Sequence, residues 1–215
     1  MRILALDAAL NGFSAALDDG RIVRAEASGA QDALEHGLTR VASLLDAAGL
    51  RLRELDRIAV GLGPGSFTGV RIAVAFAKSL AYGSGVPLVG ISSYDALEPD
   101  DAPLPVLTVV HGRRGVICSR LRDAGGGVAT SCGPTDDVLD GLIGNGTSPL
   151  AVCGNTKDVF SEIAERGWTV RALPPRADIP AIAIAQLAAT RAPSESPHAL
   201  APDYGEAPAV TKSKR

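Results

Sequence analysis

Residues 57–91 read RIAVGLGPGSFTGVRIAVAFAKSLAYGSGVPLVGI, and this stretch decides the fold. A short apolar run leads into a glycine-rich loop, the next residues have helical spacing, and a second apolar run follows from Val86. A strand, a tight loop, a helix and another strand in this order are typical of α/β layers. The stretch therefore predicts a mixed sheet with helices on its faces.

The rest of the chain continues the alternation of strands and helices. A helical stripe starts near Ala30 and stops at Gly49. The polar break Asp100–Pro103 predicts a boundary between an N-terminal lobe, 1–100, and a smaller second lobe, 104–215, that ends in an irregular tail. Further strands are predicted at 2–6, 13–17, 104–110, 116–121 and 149–153, and further helices after Thr135 and over 157–166 and 179–190.

Composition limits the possible functions. Hydrophobic residues make up 46% of the 215 residues and aromatic residues only 4%, so Ala, Val, Leu and Ile must build the core. The formal net charge of −3 gives no field that would hold a polyanion, which argues against a stand-alone nucleic-acid binder. The three cysteines form no CxxC pair, and we expect Cys118, Cys132 and Cys153 to be reduced, buried thiols in the cytoplasm.

The glycine-rich loop, together with Asp7 at the end of the first strand, is a candidate phosphate or ligand loop. Its glycines permit unusual backbone angles, and its hydroxyls can cap the following helix. It is no Walker A loop, because no Lys stands at the required place, and Pro64 interrupts a dinucleotide fingerprint. The alternative is a tight turn that sets how the helix leaves the sheet. The candidate residues are Asp7, Gly63, Gly65, Ser66 and Thr68.

The helix after this loop is apolar over an arc far wider than a single buried stripe, with Arg71 and Lys78 as its charged residues. One side can pack on its own sheet, and the other can pack on the first helix of the chain, on a partner protein, or on both. A half-bundle that a partner completes would satisfy both sides. The predicted interface consists of Leu34, Leu38, Val41, Leu45, Gly69, Val70, Ala73, Val74, Phe76 and Ala77.

Three segments resemble the TsaB family, also called YeaZ and glycopeptidase-like. The run VGLGPGSFTGVRIAVAFAKSLAYGSGVPLVGISSYDAL, residues 60–97, is similar to the family signature, MRILALDAA to its first strand, and Pro202–Tyr204 to its C-terminal Pro-x-Tyr. The resemblance implies an actin-like (ribonuclease H-like) α/β fold with two lobes. It also implies a non-catalytic subunit that dimerises with the catalytic paralogue TsaD.

The resemblance further implies a pathway and a set of partners. The complex, with a TsaE-like ATPase, transfers threonylcarbamoyl to the adenosine next to the anticodon of tRNAs that read codons starting with A. The helices that start near Ala30 and Thr68 would contact TsaD. No cofactor is expected on this chain alone, ATP and Mg are expected on partner subunits, and tRNA is expected to bind only through the complex. The isolated chain is expected to be a cytoplasmic homodimer without a membrane segment.

Some positions depart from the family pattern, and rival functions stay open. His111–Gly115 stands where the family has Asp-Ala-Arg-x-Gly-Glu, and the first loop lacks the usual threonines after Asp7. One rival is a catalytic, ATP-binding enzyme of the sugar-kinase fold, for which no second phosphate loop is evident. Another is a glycopeptidase that uses a metal, but His36, His111 and His198 are isolated in sequence, and no metal site is predicted.

Overall fold

The computed structural model describes residues 1–10, 12–29, 32–156 and 159–205, with side chains in the first helix described from residue 36. Within these residues the strands form two five-stranded mixed sheets. The first has the order β3-β2-β1-β4-β5, with β1, β4 and β5 parallel and β2 and β3 antiparallel to their neighbours. Its strands are β1 (Ile3–Asp7), β2 (Phe13–Asp18), β3 (Val23–Ser28), β4 (Arg57–Gly61) and β5 (Leu88–Ile91).

The second sheet repeats this plan, with the order β10-β9-β6-β7-β8. Two antiparallel pairings, β6 with β7 and β7 with β8, are followed by parallel pairings of β9 with β6 and of β10 with β9. Two mixed sheets of one topology confirm the predicted α/β, actin-like fold. The strands are β6 (Val106–His111), β7 (Val116–Arg122), β8 (Val128–Pro134), β9 (Pro149–Gly154) and β10 (Thr169–Ala172).

Helices cover both faces of the first sheet. They are α1 (Asp32–Ala48), α2 (Phe67–Ser84) and α6 (Pro180–Ala188). Helix α3 (Ser93–Leu97) packs on α6 and on β6 and β9 of the second sheet, on which α4 (Thr135–Leu142) and α5 (Phe160–Glu165) also pack. Neighbouring residues of a strand point to opposite faces. Phe13 meets α1 at Gly37, whereas Ser14 Oγ accepts a hydrogen bond from Ala181 N at 3.2 Å. Therefore α1 lies on one face of the sheet and α6 on the other.

The chain returns to the first sheet after building the second. Helix α6 contributes to the core of the first sheet. The last described residues are irregular but fixed, because Ser194 N donates to Leu88 O at 2.8 Å and Asp203 N donates to Leu62 O at 2.7 Å. The predicted segment 104–215 therefore supplies elements to both sheets, and the division into lobes at residues 100–104 stays a prediction. No helix within the described residues is long and apolar enough to span a membrane.

The expectation of three reduced thiols is wrong for two of them. Cys118 on β7 and Cys132 on β8 lie directly opposite one another and form a disulfide, whereas Cys153 is free and buried. The sequence could not reveal this pair, because β8 was not predicted and the register of the hairpin was therefore unknown.

Ion pairs join α3 to the second sheet. Glu98, 4% exposed at the end of α3, accepts hydrogen bonds from Thr108 Oγ1 on β6 at 2.7 Å and from Arg120 Nη2 on β7 at 3.0 Å. Its other oxygen lies 2.5 Å from Arg122 Nε. Asp95 on α3 also pairs with Arg120, at 2.6 Å. The carboxylates of Asp95 and Glu98, which come after β5 in the chain, thus pair with two arginines of β7 in the second sheet.

We predict that Glu98→Ala lowers the free energy of unfolding by about 3–5 kcal/mol, because it leaves two partly buried arginines without this carboxylate. Urea unfolding followed by circular dichroism measures the loss. Glu165→Ala, at an exposed position of α5, is the matched control and should change stability by less than about 0.5 kcal/mol. Equal effects of the two substitutions would contradict this role for Glu98.

Candidate functional site

The small residues of α2 face the first sheet, on which this helix packs. Gly69, Ala73 and Ala77 are buried, and the two alanines have no exposed surface. Val70 and Val74, on the next row, are buried as well. Assigning these residues to a partner interface was wrong, because the chain already covers them.

Close contact between backbones explains why the side chains in this row of α2 are small. A β-carbon at Gly69 would overlap the carbonyl of Ala8, which follows β1. Only glycine allows the first turn of the helix to approach the strand end so closely. The periodicity of α2 therefore indicated close packing correctly, but the neighbour is the sheet and not a partner.

The remaining residues of the predicted interface, on α1 and on the other row of α2, differ in how far they are exposed. Val41 is buried, and Leu45 is half-buried. Phe76 is half-buried between the helices, where a β-carbon at Gly37 would lie 3.0 Å from its ring. Leu38 is 48% exposed, and the side chain of Leu34 lies outside the described residues.

The residues of the glycine-rich loop come together with the end of β1, as the candidate ligand loop requires. However, the chain itself occupies much of the space that they enclose. Ser66 N donates to Ala9 O at 2.9 Å, and Ser66 Oγ, the N-cap of α2, accepts from Gly69 N at 3.2 Å. A β-carbon at Gly65 would overlap Ala9 O, and one at Gly63 would overlap the carbonyl of Asp203. Thr68 is exposed in the first turn of α2. Backbone contacts thus account for the loop glycines.

Asp7 lies at the end of β1 with no exposed surface. Its Oδ2 accepts a hydrogen bond from Leu10 N at 2.9 Å, whereas Oδ1 has no hydrogen-bond partner among the described residues and lies against Gly61. Burial raises the pKa of this carboxyl from 3.8 to about 7, and hydrogen bonds from the backbone of Leu10 and Ala9 oppose the shift. Asp7 therefore titrates near neutral pH.

Helices α1 and α2 leave a broad outer surface, which we call the helix-pair face. Its exposed large apolar side chains are Leu38 (48%), Phe67 (51%) and Tyr82 (76%). Between His36 and Ala48 the one acidic residue is Asp46. The helix-pair face consists of the exposed residues Leu38, Thr39, Ala42, Ser43, Phe67, Arg71, Ala75, Ser79 and Tyr82.

The segment 194–205, which we call the C-terminal strap, borders this face. The guanidinium carbon of Arg71 lies 3.8 Å from the ring centroid of Phe67, and Arg71 Nε donates to Tyr204 Oη at 3.1 Å. The rings of Phe67 and Tyr204 are 4.9 Å apart. At the other end of α2, the Tyr82 ring lies 5.9 Å from His198. The sequence pattern does not indicate these contacts, although the Pro-x-Tyr motif includes Tyr204.

We predict that Asp7→Asn removes a pH dependence of stability. The folded pKa lies above the ordinary value, so the stability contributed by the neutral carboxyl is fully present below pH 4 and is lost as the pH rises through 7. Between pH 4.5 and pH 8 the wild type should lose roughly 3 kcal/mol relative to Asp7→Asn, because the unfolded carboxyl is already mostly ionised at pH 4.5. Urea unfolding at pH 4.5 and pH 8 measures the difference, with the exposed Asp101→Asn as the control. Parallel pH profiles of wild type and Asp7→Asn would contradict the raised pKa.

We also predict opposite outcomes for two alanines two positions apart on α2. Ala77→Asp places a carboxylate in the sheet contact and should cost more than about 4 kcal/mol or prevent folding. Ala75→Asp, on the helix-pair face, should change stability by less than about 1 kcal/mol. Thermal unfolding distinguishes the two, and a fully stable Ala77→Asp would show that α2 packs differently.

Comparison with known proteins identifies this architecture. The family model described as TsaD, tRNA N6-adenosine threonylcarbamoyltransferase, matches residues 30–153, more than half of the chain. The tRNA threonylcarbamoyladenosine biosynthesis protein TsaB of Escherichia coli is 38% identical over 94 residues, which are 43% of this chain and 41% of that protein. The tRNA N6-adenosine threonylcarbamoyltransferase of Paracoccus denitrificans is 42% identical over 106 residues, 47% of this chain and 29% of that protein.

The matched region thus spans about two fifths of the length of the E. coli relative (41%) and less of the Paracoccus one (29%). The solved structure of YeaZ from Pseudomonas aeruginosa agrees over a much longer stretch. It covers 94% of this chain and 99% of its own, with a TM-score of 0.69 and 25% identity. The signature run and the paired sheets therefore have one explanation: the chain belongs to the TsaD family, in its TsaB (YeaZ) branch.

Proposed function

We propose that this chain is a non-catalytic docking subunit for a TsaD-like catalytic paralogue in the synthesis of threonylcarbamoyladenosine on tRNA. The observation that carries the proposal is the helix-pair face, nine exposed residues among which Arg71 is the one charged side chain. Relatives from E. coli and Bacillus subtilis are named as tRNA threonylcarbamoyladenosine biosynthesis proteins, which supports the choice of pathway.

The composition of the face suits another pair of helices. Ala42, Ala75 and Ser79 are small and exposed, so the backbone of a partner helix can approach closely. Leu38 and Tyr82 are also exposed on this face, and a partner could bury their large apolar side chains. A stable complex would bury on the order of 1,200 Å² or more in total, and two helices of this length can supply that area.

The chemistry around Asp7 favours a docking role over catalysis. Ser66 N–H is bonded within the chain, and Asp7 has no exposed surface. A nucleotide would have to displace Ala8, Ala9 or Asp203 to reach the glycines of the loop. Among the described residues, no group of three or more His, Cys, Asp or Glu could hold a metal ion.

The proposal includes the remaining partners. A TsaE-like ATPase would join the complex, ATP and Mg would bind on partner subunits, and tRNA would bind only through the assembly. The chain would act in the cytoplasm. When it is isolated, the same helix-pair face would pair with a second copy, because it would otherwise stay in contact with water.

We predict that Ala75→Asp weakens binding to the TsaD-like paralogue of the same organism by roughly 100-fold, because an unpaired charge would enter the contact. Titration calorimetry measures the affinity, and reconstituted tRNA modification provides a second readout. Ala164→Asp, at an exposed position of α5, introduces the same charge on a helix that packs on the second sheet, and this variant should bind as the wild type does.

Unchanged binding by a folded Ala75→Asp would refute docking through the helix-pair face. Turnover of ATP or threonylcarbamoyl-AMP by the purified chain alone would refute the non-catalytic role. In that case the catalytic enzyme of the same fold, with Asp7 as its acidic group, becomes the better assignment.

A further inference from the structure

The Cys118–Cys132 disulfide lies at the junction of the two sheets and against the C-terminal strap. Cys118 belongs to the core cluster of the first sheet although its strand, β7, belongs to the second. A β-carbon built on Gly205 would overlap the sulfur atoms of both cysteines and would lie 3.2 Å from Pro64 Cβ. The end of the strap is therefore enclosed between the disulfide and the glycine-rich loop.

Two neighbouring residues of the strap link the disulfide to the helix-pair face: Gly205 contacts the disulfide, and Tyr204 contacts the face. Gly205 has a left-handed φ of 69°, and its N–H donates to Asp203 Oδ1 at 2.9 Å. Asp203 N in turn donates to Leu62 O, which fixes the strap on the glycine-rich loop. Tyr204 stands between these two anchored residues, and its ring and hydroxyl contact Phe67 and Arg71.

A bonded pair of sulfurs occupies less space than two separate thiols. Reduction breaks the bond, and the two sulfurs must then separate to van der Waals distance from each other, which pushes them toward their other neighbours, Gly205 among them. Gly205 has no side chain that could move aside, so a sulfur that moves toward it displaces the Gly205 backbone. Because Tyr204 precedes it directly, a shift at Gly205 moves the ring that contacts Phe67.

We propose that the Cys118–Cys132 pair is a redox latch that orders the C-terminal strap and thereby sets the N-terminal part of the helix-pair face. The inference rests on the proposed function for its consequence, since it names the regulation of that same surface. Cytoplasmic disulfides are rare, and those that occur are usually transient or redox-sensing, which fits a pair placed at a regulatory contact.

The reaction is a thiol–disulfide exchange with a dithiol reductant. The thiolate of the reductant attacks one sulfur of the pair and forms a mixed disulfide while the other sulfur leaves as a thiolate and takes up a proton. The second thiol of the reductant then releases the first cysteine. The pair gains two electrons and two protons, and the reductant becomes a disulfide.

Amide hydrogen exchange of the full-length chain, without and with dithiothreitol, tests the latch directly. We expect exchange in residues 199–205 to rise at least fivefold on reduction, with little change in β9. Cys118→Ser/Cys132→Ser should exchange like the reduced wild type in both buffers. The control Cys153→Ser removes the free, buried thiol and should keep the response. Equal exchange of the strap in the two buffers, or a response that persists in the double variant, overturns the latch.

Affinity for the TsaD-like paralogue, measured in the same two buffers, tests the consequence. The ordered strap presents a preorganised face, so reduction should weaken binding about fivefold or more. An unchanged or tighter complex in dithiothreitol overturns the regulatory role while leaving docking intact. Absence of binding in both buffers counts against the proposed function, whereas the exchange experiment still decides the latch.

Discussion

The contact between Gly69 of α2 and the carbonyl of Ala8 is the constraint on which the rest of the structure depends. It brings the first turn of α2 against the end of β1, so the row of small residues faces the sheet and is buried. The rotation of the helix is then fixed, and the opposite stripe, with Arg71, Ala75 and Ser79, must face outward. The surface that we assign to docking is therefore a consequence of how closely the helix lies on its own sheet.

Much of this fold could be predicted from the sequence, because the segments with clear hydrophobic periodicity form the helices and strands that this periodicity indicates. The signature stretch gave β4, α2 and β5, and the spacing of α1 predicted a helix of nearly the observed length. The elements that were missed are β3, α3, β8 and β10. Strands β8 and β10 are mostly exposed, α3 has only five residues, and the alternation of β3 consists of one valine and two alanines. The disulfide was missed with them, since it depends on the register between β7 and β8.

The candidate site was predicted less well, for a physical reason. Periodicity shows that two sides of α2 are apolar, but it does not distinguish a sheet from a partner as the neighbour of each side. The residues with the smallest side chains, such as Ala73 and Ala77, lie against the sheet, because the backbone approaches most closely there. The exposed surface instead includes residues that the pattern did not select, among them Ala75 and Tyr82. The contacts of Tyr204 required the path of the strap, which local sequence does not encode.

The central claim is that the helix-pair face meets the catalytic paralogue. Hydroxyl-radical footprinting measures it most directly, because it reports the solvent exposure of individual side chains with and without the partner. The account predicts that Leu38, Phe67 and Tyr82 become protected on mixing, while Ile22 and Val128, which are exposed elsewhere, react as before. A complex that forms with Leu38, Phe67 and Tyr82 still fully reactive would contradict it.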